Sequence, residues 1–395
     1  MLNTKFSPWP NYSIEEAESI KNVLLSNKVN YWTGKECRKF EQEFALWSDV
    51  KYAVALANGT LALDAAFKAL EISLGDEVIV TSRTYIATVS SIVNSGASPV
   101  FSDIDLNSQN ISVTSIREKI NINTKAIVCV HHAGWPCEMD EIMEIAREFD
   151  LLVIEDCAQA HGAKYKGAPV GSIGHIGCWS FCQDKIMTTG GEGGMITTNN
   201  ESIWRKIWEY KDHGKNYKSV YSKNTSKGYR FLHDSFGTNW RMTEIQAVIG
   251  RIQLKRMSKW HDKRLKNANI IWDAARKCKG IRVPDVYEHI DHAAYKCYIF
   301  LEQNHLRHDW TRDRVIEEIN LLGVPCYWGT CSEVYLEKSF DNSNFRPKKA
   351  LINAKKLGDN SLMFLVHPNL TKKEIQKTCD SIKSVMKLAI KQENA

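Results

Sequence analysis

The sequence predicts an α/β protein: a large domain with a mostly parallel central sheet sandwiched by helices, followed by a smaller C-terminal α+β domain. Three observations predict it. Apolar runs that read as buried strands alternate with helical stretches between residues 51 and 156. Such alternation argues a parallel sheet covered on both faces. The pattern changes character after about residue 240, and 395 residues exceed one ordinary compact core. These place a large domain over residues 1–250 and a small one over 251–395.

The elements follow in chain order. Ser13 and Glu16 form an S-x-x-E capping box that opens a helix over 13–26. KYAVALAN (51–58) reads as a buried strand and TLALDAAFKAL (60–70) as an amphipathic helix. DEVIVTS (76–82), SPVFSDI (98–104), KAIVCV (125–130) and LLVIED (151–156) read as strands. The intervening TYIATVSSIVNSG (84–96), SVTSIREKI (112–120) and EMDEIMEIAREFD (138–150) read as helices. Residues 241–278 carry one long helical pattern without proline, a bridge between the domains. Beyond it, AYKCYIFLE (294–302) reads as a strand, with helices at 311–323 and 371–390. SVYSKNTSKGYR (219–230) is the best candidate for a mobile loop.

Composition narrows the function classes. Hydrophobic residues at 43% and charged residues at 25% match ordinary soluble usage. No apolar run approaches the ~18 residues a membrane span needs, and the first residues lack an apolar signal core. The eleven cysteines are scattered and odd in number, with no second pair at zinc-ligand spacing after Cys178 and Cys182. They suit reduced thiols in a cytoplasmic protein. A net charge of +6 without a basic stripe or recognition motif argues against nucleic acid.

In sheets of this kind ligands sit beyond the carboxyl ends of the strands. Polar residues cluster there: Asn58 to Thr60, Thr84 and Tyr85, His131, and Asp156. ANGTLALDAA (57–66) offers backbone N–H groups and a hydroxyl at a helix start, which suits a phosphate, although many α/β loops look alike. Asp156 in IEDCAQAHGA can serve as a structural cap. It can equally be the permanent anion that a protonated pyridine ring needs. Lys185 precedes TTGGEGG, which lacks the order of a P-loop or a dinucleotide fingerprint and fits a tight turn beside a bulky ligand. A lysine so placed can be solvated, or can hold a carbonyl cofactor and shuttle protons.

Together these segments resemble the DegT/DnrJ/EryC1/StrS sugar aminotransferase family, of the fold-type-I group that uses pyridoxal 5'-phosphate (PLP). The likeness runs in order through NYWTGKECRKFEQEFA (30–45), NGTLAL (58–63), VTSRTYIATV (80–89), VHHAGWPCEMD (130–140), EDCAQAHGA, SFCQDKIMTTGGEGG, FGTNWRMTEIQAVIGRIQL (236–254) and LMFLVHPNLTKKEI (362–375). The resemblance implies that Lys185 holds the cofactor covalently and that Asp156 faces its ring nitrogen. It implies that Gln159 lies near the ring hydroxyl and that Tyr85 stacks on the ring. Gly59, Thr60 and Ser180 would hold the phosphate, with Asn239 donated to it by a neighbouring subunit of a homodimer. The bland readings are that Tyr85 is core, Ser180 a strand end, Asn239 a turn residue and His131 a packing residue. The reaction implied moves an amino group from glutamate to a nucleotide-linked keto-sugar, a 4-keto-6-deoxyhexose being the leading expectation. A dehydratase branch of the family carries histidine where this chain has Lys185, and a regulator without turnover would lack bleaching by an amino donor. Cys182-Gln183-Asp184 and VPCYWGTCSEVYLEK (324–338) depart from the family pattern and leave the sugar open.

Overall fold

The computed structural model describes residues 6–222 and 232–391. A seven-stranded sheet forms the centre, in the order Tyr52–Leu56, Gly194–Thr198, Ile176–Ser180, Leu152–Asp156, Thr124–Val130, Glu77–Thr81 and Ser98–Ser102. Only Gly194–Thr198 runs antiparallel to its neighbours; the pairs from Ile176–Ser180 outward are parallel. Side chains alternate between two buried faces, as strand geometry dictates. Val54, Val78, Val80, Val128 and Ile154 enter one apolar cluster. Ala55 enters a second cluster, while Ile79, Ile127 and Val153 enter a third. Both faces are covered, which is why the strands read as unbroken apolar runs.

The helices form where the sequence places them. Glu16 accepts the Ser13 N–H at 2.6 Å and the Ser13 hydroxyl at 2.9 Å at the start of the helix Ile14–Leu25. The helix Ile86–Asn94 ends before Gly96, whose φ of 91° only glycine adopts freely.

The C-terminal part builds a second, four-stranded antiparallel sheet from Ile281–Arg282, Cys297–Leu301, Ser361–Phe364 and Cys326–Tyr327. Its own apolar cluster includes Ile271, Ile299, Leu362 and Ile382. A further three-stranded sheet joins Lys164–Tyr165, Ala168–Pro169 and Ile290–Asp291.

The single long helix expected over 241–278 is two helices, Glu244–Leu254 and Met257–Ala275. Arg256 at the break binds Glu16 at 3.0 Å, Glu15 at 2.7 Å and the Ser13 hydroxyl at 2.9 Å. Three contacts with the first helix fix that turn, although neither proline nor glycine marks it. Of the expected loop at 219–230, residues up to Tyr221 belong to the short helix Tyr217–Tyr221. Positions 223–230 lie outside the described residues.

Candidate active site

Asp156 ends a central strand, and its carboxyl is buried. One oxygen accepts the Ala158 N–H at 3.1 Å and the other the Thr88 hydroxyl at 2.9 Å. Thr88 in turn stands 2.9 Å from the Thr84 hydroxyl, which is left to donate to it. Burial pushes the Asp156 pKa up, while the Ala158 and Thr88 bonds and the charge of Lys185 pull it back. No described cation forms a salt bridge with it. A cationic group at this position would hold the carboxylate ionised.

Lys185 follows the strand Ile176–Ser180 and a short turn closed by its N–H on the Cys182 carbonyl at 3.1 Å. Its own carbonyl accepts the Trp9 indole N–H at 2.8 Å, tying the amino-terminal segment over the site. The lysine side chain is 17% exposed, with Nζ 3.8 Å from Asp184 and 5.5 Å above the Tyr295 ring. Asp184 also accepts the Tyr295 hydroxyl. Burial opposes ionisation of Asp184, yet the Lys185 charge, the Tyr295 hydroxyl and Lys296 together hold its pKa down.

A site for an anion stands beside these groups. Asn58 caps the helix Gly59–Ala69 by accepting the Leu61 N–H at 2.9 Å, and its carbonyl takes the Ala62 N–H at 3.2 Å. The Gly59 and Thr60 N–H groups keep no partner within the described chain, at the end where the helix dipole is positive. A Cβ on Gly59 would lie 2.5 Å from the Ser180 Cβ, and one on Gly194 would lie 2.2 Å from the Asn58 carbonyl. Only glycine permits this packing, which brings the Ser180 hydroxyl to the helix start.

The remaining residues singled out in the sequence stand on the same edge of the sheet. Gln159 is buried and its carbonyl oxygen accepts the Ala133 N–H at 2.9 Å, leaving the NH2 group to donate elsewhere. Tyr85 immediately precedes the helix Ile86–Asn94 and is 69% exposed, which excludes a core role. Asn239 is exposed in a segment whose next residue, Trp240, accepts the Ala57 N–H at 3.0 Å. His131 is the packing residue it resembled: one ring nitrogen meets Glu155 at 2.9 Å and the other accepts the Cys137 N–H at 3.0 Å. Glu155 also accepts the N–H groups of Gly171, Ile173 and Gly174.

Three participants escaped sequence reasoning. Thr88 could have been found one helical turn after Thr84. Asp184 and Tyr295 are 111 residues apart and carried no joint signal. The departing segment 324–338 packs beside the Tyr85 loop, where Val334 donates to the Ser82 carbonyl at 3.0 Å.

The sequence profile of the DegT/DnrJ/EryC1/StrS aminotransferase family matches residues 11–383. An aminotransferase structure from Psychrobacter cryohalolentis is 60% identical with a TM-score of 0.96, covering 97% of this chain and 99% of that one. GDP-perosamine synthase of Escherichia coli O157:H7 is 42% identical over 253 residues, 64% of this chain and 65% of that enzyme. The matched stretch thus spans just under two thirds of the relative. S. venezuelae DesV, solved with a ketimine intermediate, is 26% identical with a TM-score of 0.84 over 94% of each chain.

Proposed function

The chain belongs to the DegT/DnrJ/EryC1/StrS aminotransferase family, and from that membership we propose that it moves an amino group from glutamate to a nucleotide-linked keto-sugar, using PLP. The observation that carries this reading is one sheet edge holding a lysine amine, a buried carboxylate without a cation, and an open helix start. Those groups match the aldehyde, ring nitrogen and phosphate of PLP. The nucleotide-sugar relative supports the substrate class.

Bound there, PLP supplies an aldehyde and an electron-withdrawing ring that makes the donor's α-proton acidic. Gly59 and Thr60 N–H groups and the Ser180 hydroxyl hold its phosphate. Asp156 would keep the proton on the ring nitrogen, and the Gln159 NH2 would donate to the ring oxygen. Tyr85 would stack on the ring. Lys185 Nζ would accept the proton from the donor's α-carbon and, in the second half of the reaction, would deliver one to the sugar carbon that receives the amine. The reading includes a homodimer in which Asn239 completes the neighbouring phosphate site, a cytoplasmic location, and a domain division near residue 250. No helix among the described residues is long and apolar enough to cross a membrane.

Gly59→Ala should weaken PLP binding by about tenfold or more, because the new methyl would drive Ser180 away from the helix start. Titration of the visible band with PLP checks this, and unchanged affinity would contradict the phosphate assignment. Thr88→Val should lower kcat/KM about tenfold by removing a hydrogen bond to a charged group. That bond lowers the Asp156 pKa, so its loss raises the pKa further. Since the ionised form is needed, the acidic limb of the pH profile should move to higher pH; an unmoved limb would contradict the role.

The substrate we propose is a 4-keto-6-deoxyhexose linked to a nucleoside diphosphate. A panel of nucleotide keto-sugars incubated with glutamate and PLP, with product masses recorded, tests it. An amino sugar from such a substrate supports the proposal. No aminated product from any member of the panel would overturn it.

A further inference from the structure

Next to Lys185 lies a group of nitrogen-bearing side chains for which the described chain offers too few partners. Arg264 is buried, and its Nε and one Nη have no hydrogen-bond acceptor. Its other Nη reaches only the Tyr295 carbonyl at 3.4 Å, and the guanidinium lies 4.8 Å from the Trp9 ring centre. His367 also stacks on Trp9 at 5.8 Å and leaves Nδ1 unpartnered. Lys296 is half-buried, with its ammonium 4.7 Å from the centre of the Tyr295 ring that Lys185 approaches to 5.5 Å. No hydrogen bond or ion pair to a described residue holds the Lys296 ammonium. Asp184 is the one carboxylate among these groups, and the Tyr295 hydroxyl and Lys185 already engage it.

Three cations therefore surround Asp184 in a poorly solvated place, where a buried charge without a partner is costly. Burial, with Arg264 and Lys185 nearby, brings the Lys296 pKa down to about 8, against the pull of Asp184. Burial likewise lowers Arg264 to about 9. An incoming anion would relieve this imbalance. A donor amine has to arrive where the Lys185 amine stands, and it brings carboxylates a few bonds away.

We propose that Lys296, backed by Arg264, is the subsite that receives a carboxylate of the amino donor. Lys296 would contact the substrate directly. Arg264, shielded under Trp9, is a positioning residue that adds positive potential without touching the ligand. The assignment rests on the amino-transfer reading above.

The test uses glutarate, a dicarboxylate with no amine to react, titrated into the PLP-loaded protein by calorimetry beside UDP and GDP. Lys296→Met should weaken glutarate binding at least about tenfold, as loss of one member of a desolvated charge pair does. Lys296→Arg should restore most of it, and UDP and GDP affinities should not change. In turnover, the KM for glutamate should rise in Lys296→Met with kcat little altered. Lys296 is half-buried and makes no hydrogen bond or ion pair to a described residue, so Lys296→Met breaks no bond of the fold and remains measurable. Unchanged glutarate binding, or equal loss of UDP and GDP binding, would overturn the proposal; the latter assigns the cations to the diphosphate. Failure of the unaltered protein to take an amino group from glutamate would sink the amino-transfer reading instead, while the glutarate titration still decides the subsite.

Discussion

Lys185→Ala is expected to remove amino transfer altogether while the protein stays folded. The substitution takes away both the amine that would hold the cofactor and the base that moves the α-proton. Loss of a positioned proton carrier alone costs on the order of 10²–10⁴ in rate, and loss of the covalent hold adds to it. The fold should survive because the Lys185 ammonium makes only long contacts, 3.8 Å to Asp184 and 5.5 Å to the centre of the Tyr295 ring, and Asp184 retains the Tyr295 hydroxyl. The backbone bonds to Trp9 and Cys182 do not involve the side chain. The checks are product formation from glutamate and the thermal midpoint of the variant. Transamination by a well-folded Lys185→Ala protein would contradict the role.

Asp156→Asn should cost on the order of 10³ in rate, comparable with removing a preorganised electrostatic group from a dry site. The amide cannot hold a proton on the ring nitrogen, so the electron-withdrawing power of the ring falls. The same change should leave the PLP-free protein as stable or more so. Burial raises the Asp156 pKa above its ordinary value. A raised carboxyl pKa favours the fold at pH below the unfolded value, and this advantage disappears as pH rises through the folded pKa. At neutral pH the ionised group is therefore a cost that asparagine lacks. Slow turnover with an undiminished thermal midpoint is the expected pair of results. Near-normal activity, or a lowered midpoint with PLP absent, would count against the assignment.

Much of the architecture was legible because the central strands are buried on both faces and the helices between them carry ordinary caps. Ser13 and Gly96 mark boundaries that the structure keeps. The break at Arg256 was not legible, since it is set by ion pairs to residues some 240 positions earlier. The site divides in the same way. Asp156, Lys185 and Gly59 lie in short motifs with local chemistry, and the structure gathers their segments at one sheet edge. Thr88 orients Asp156 from another element 68 residues away. Tyr295, Lys296 and Arg264 come from the C-terminal part, where sequence patterning shows only core and surface. Their convergence on Lys185 depends on how the second sheet packs against the first.

Lys185 is proposed to hold PLP covalently. Treating the PLP-loaded protein with borohydride and mapping the modified peptide by mass spectrometry tests it most directly. One pyridoxyl group on Lys185, prevented by Lys185→Ala, is the predicted result. A protein that gains no such group, or gains it on another lysine, would contradict the claim.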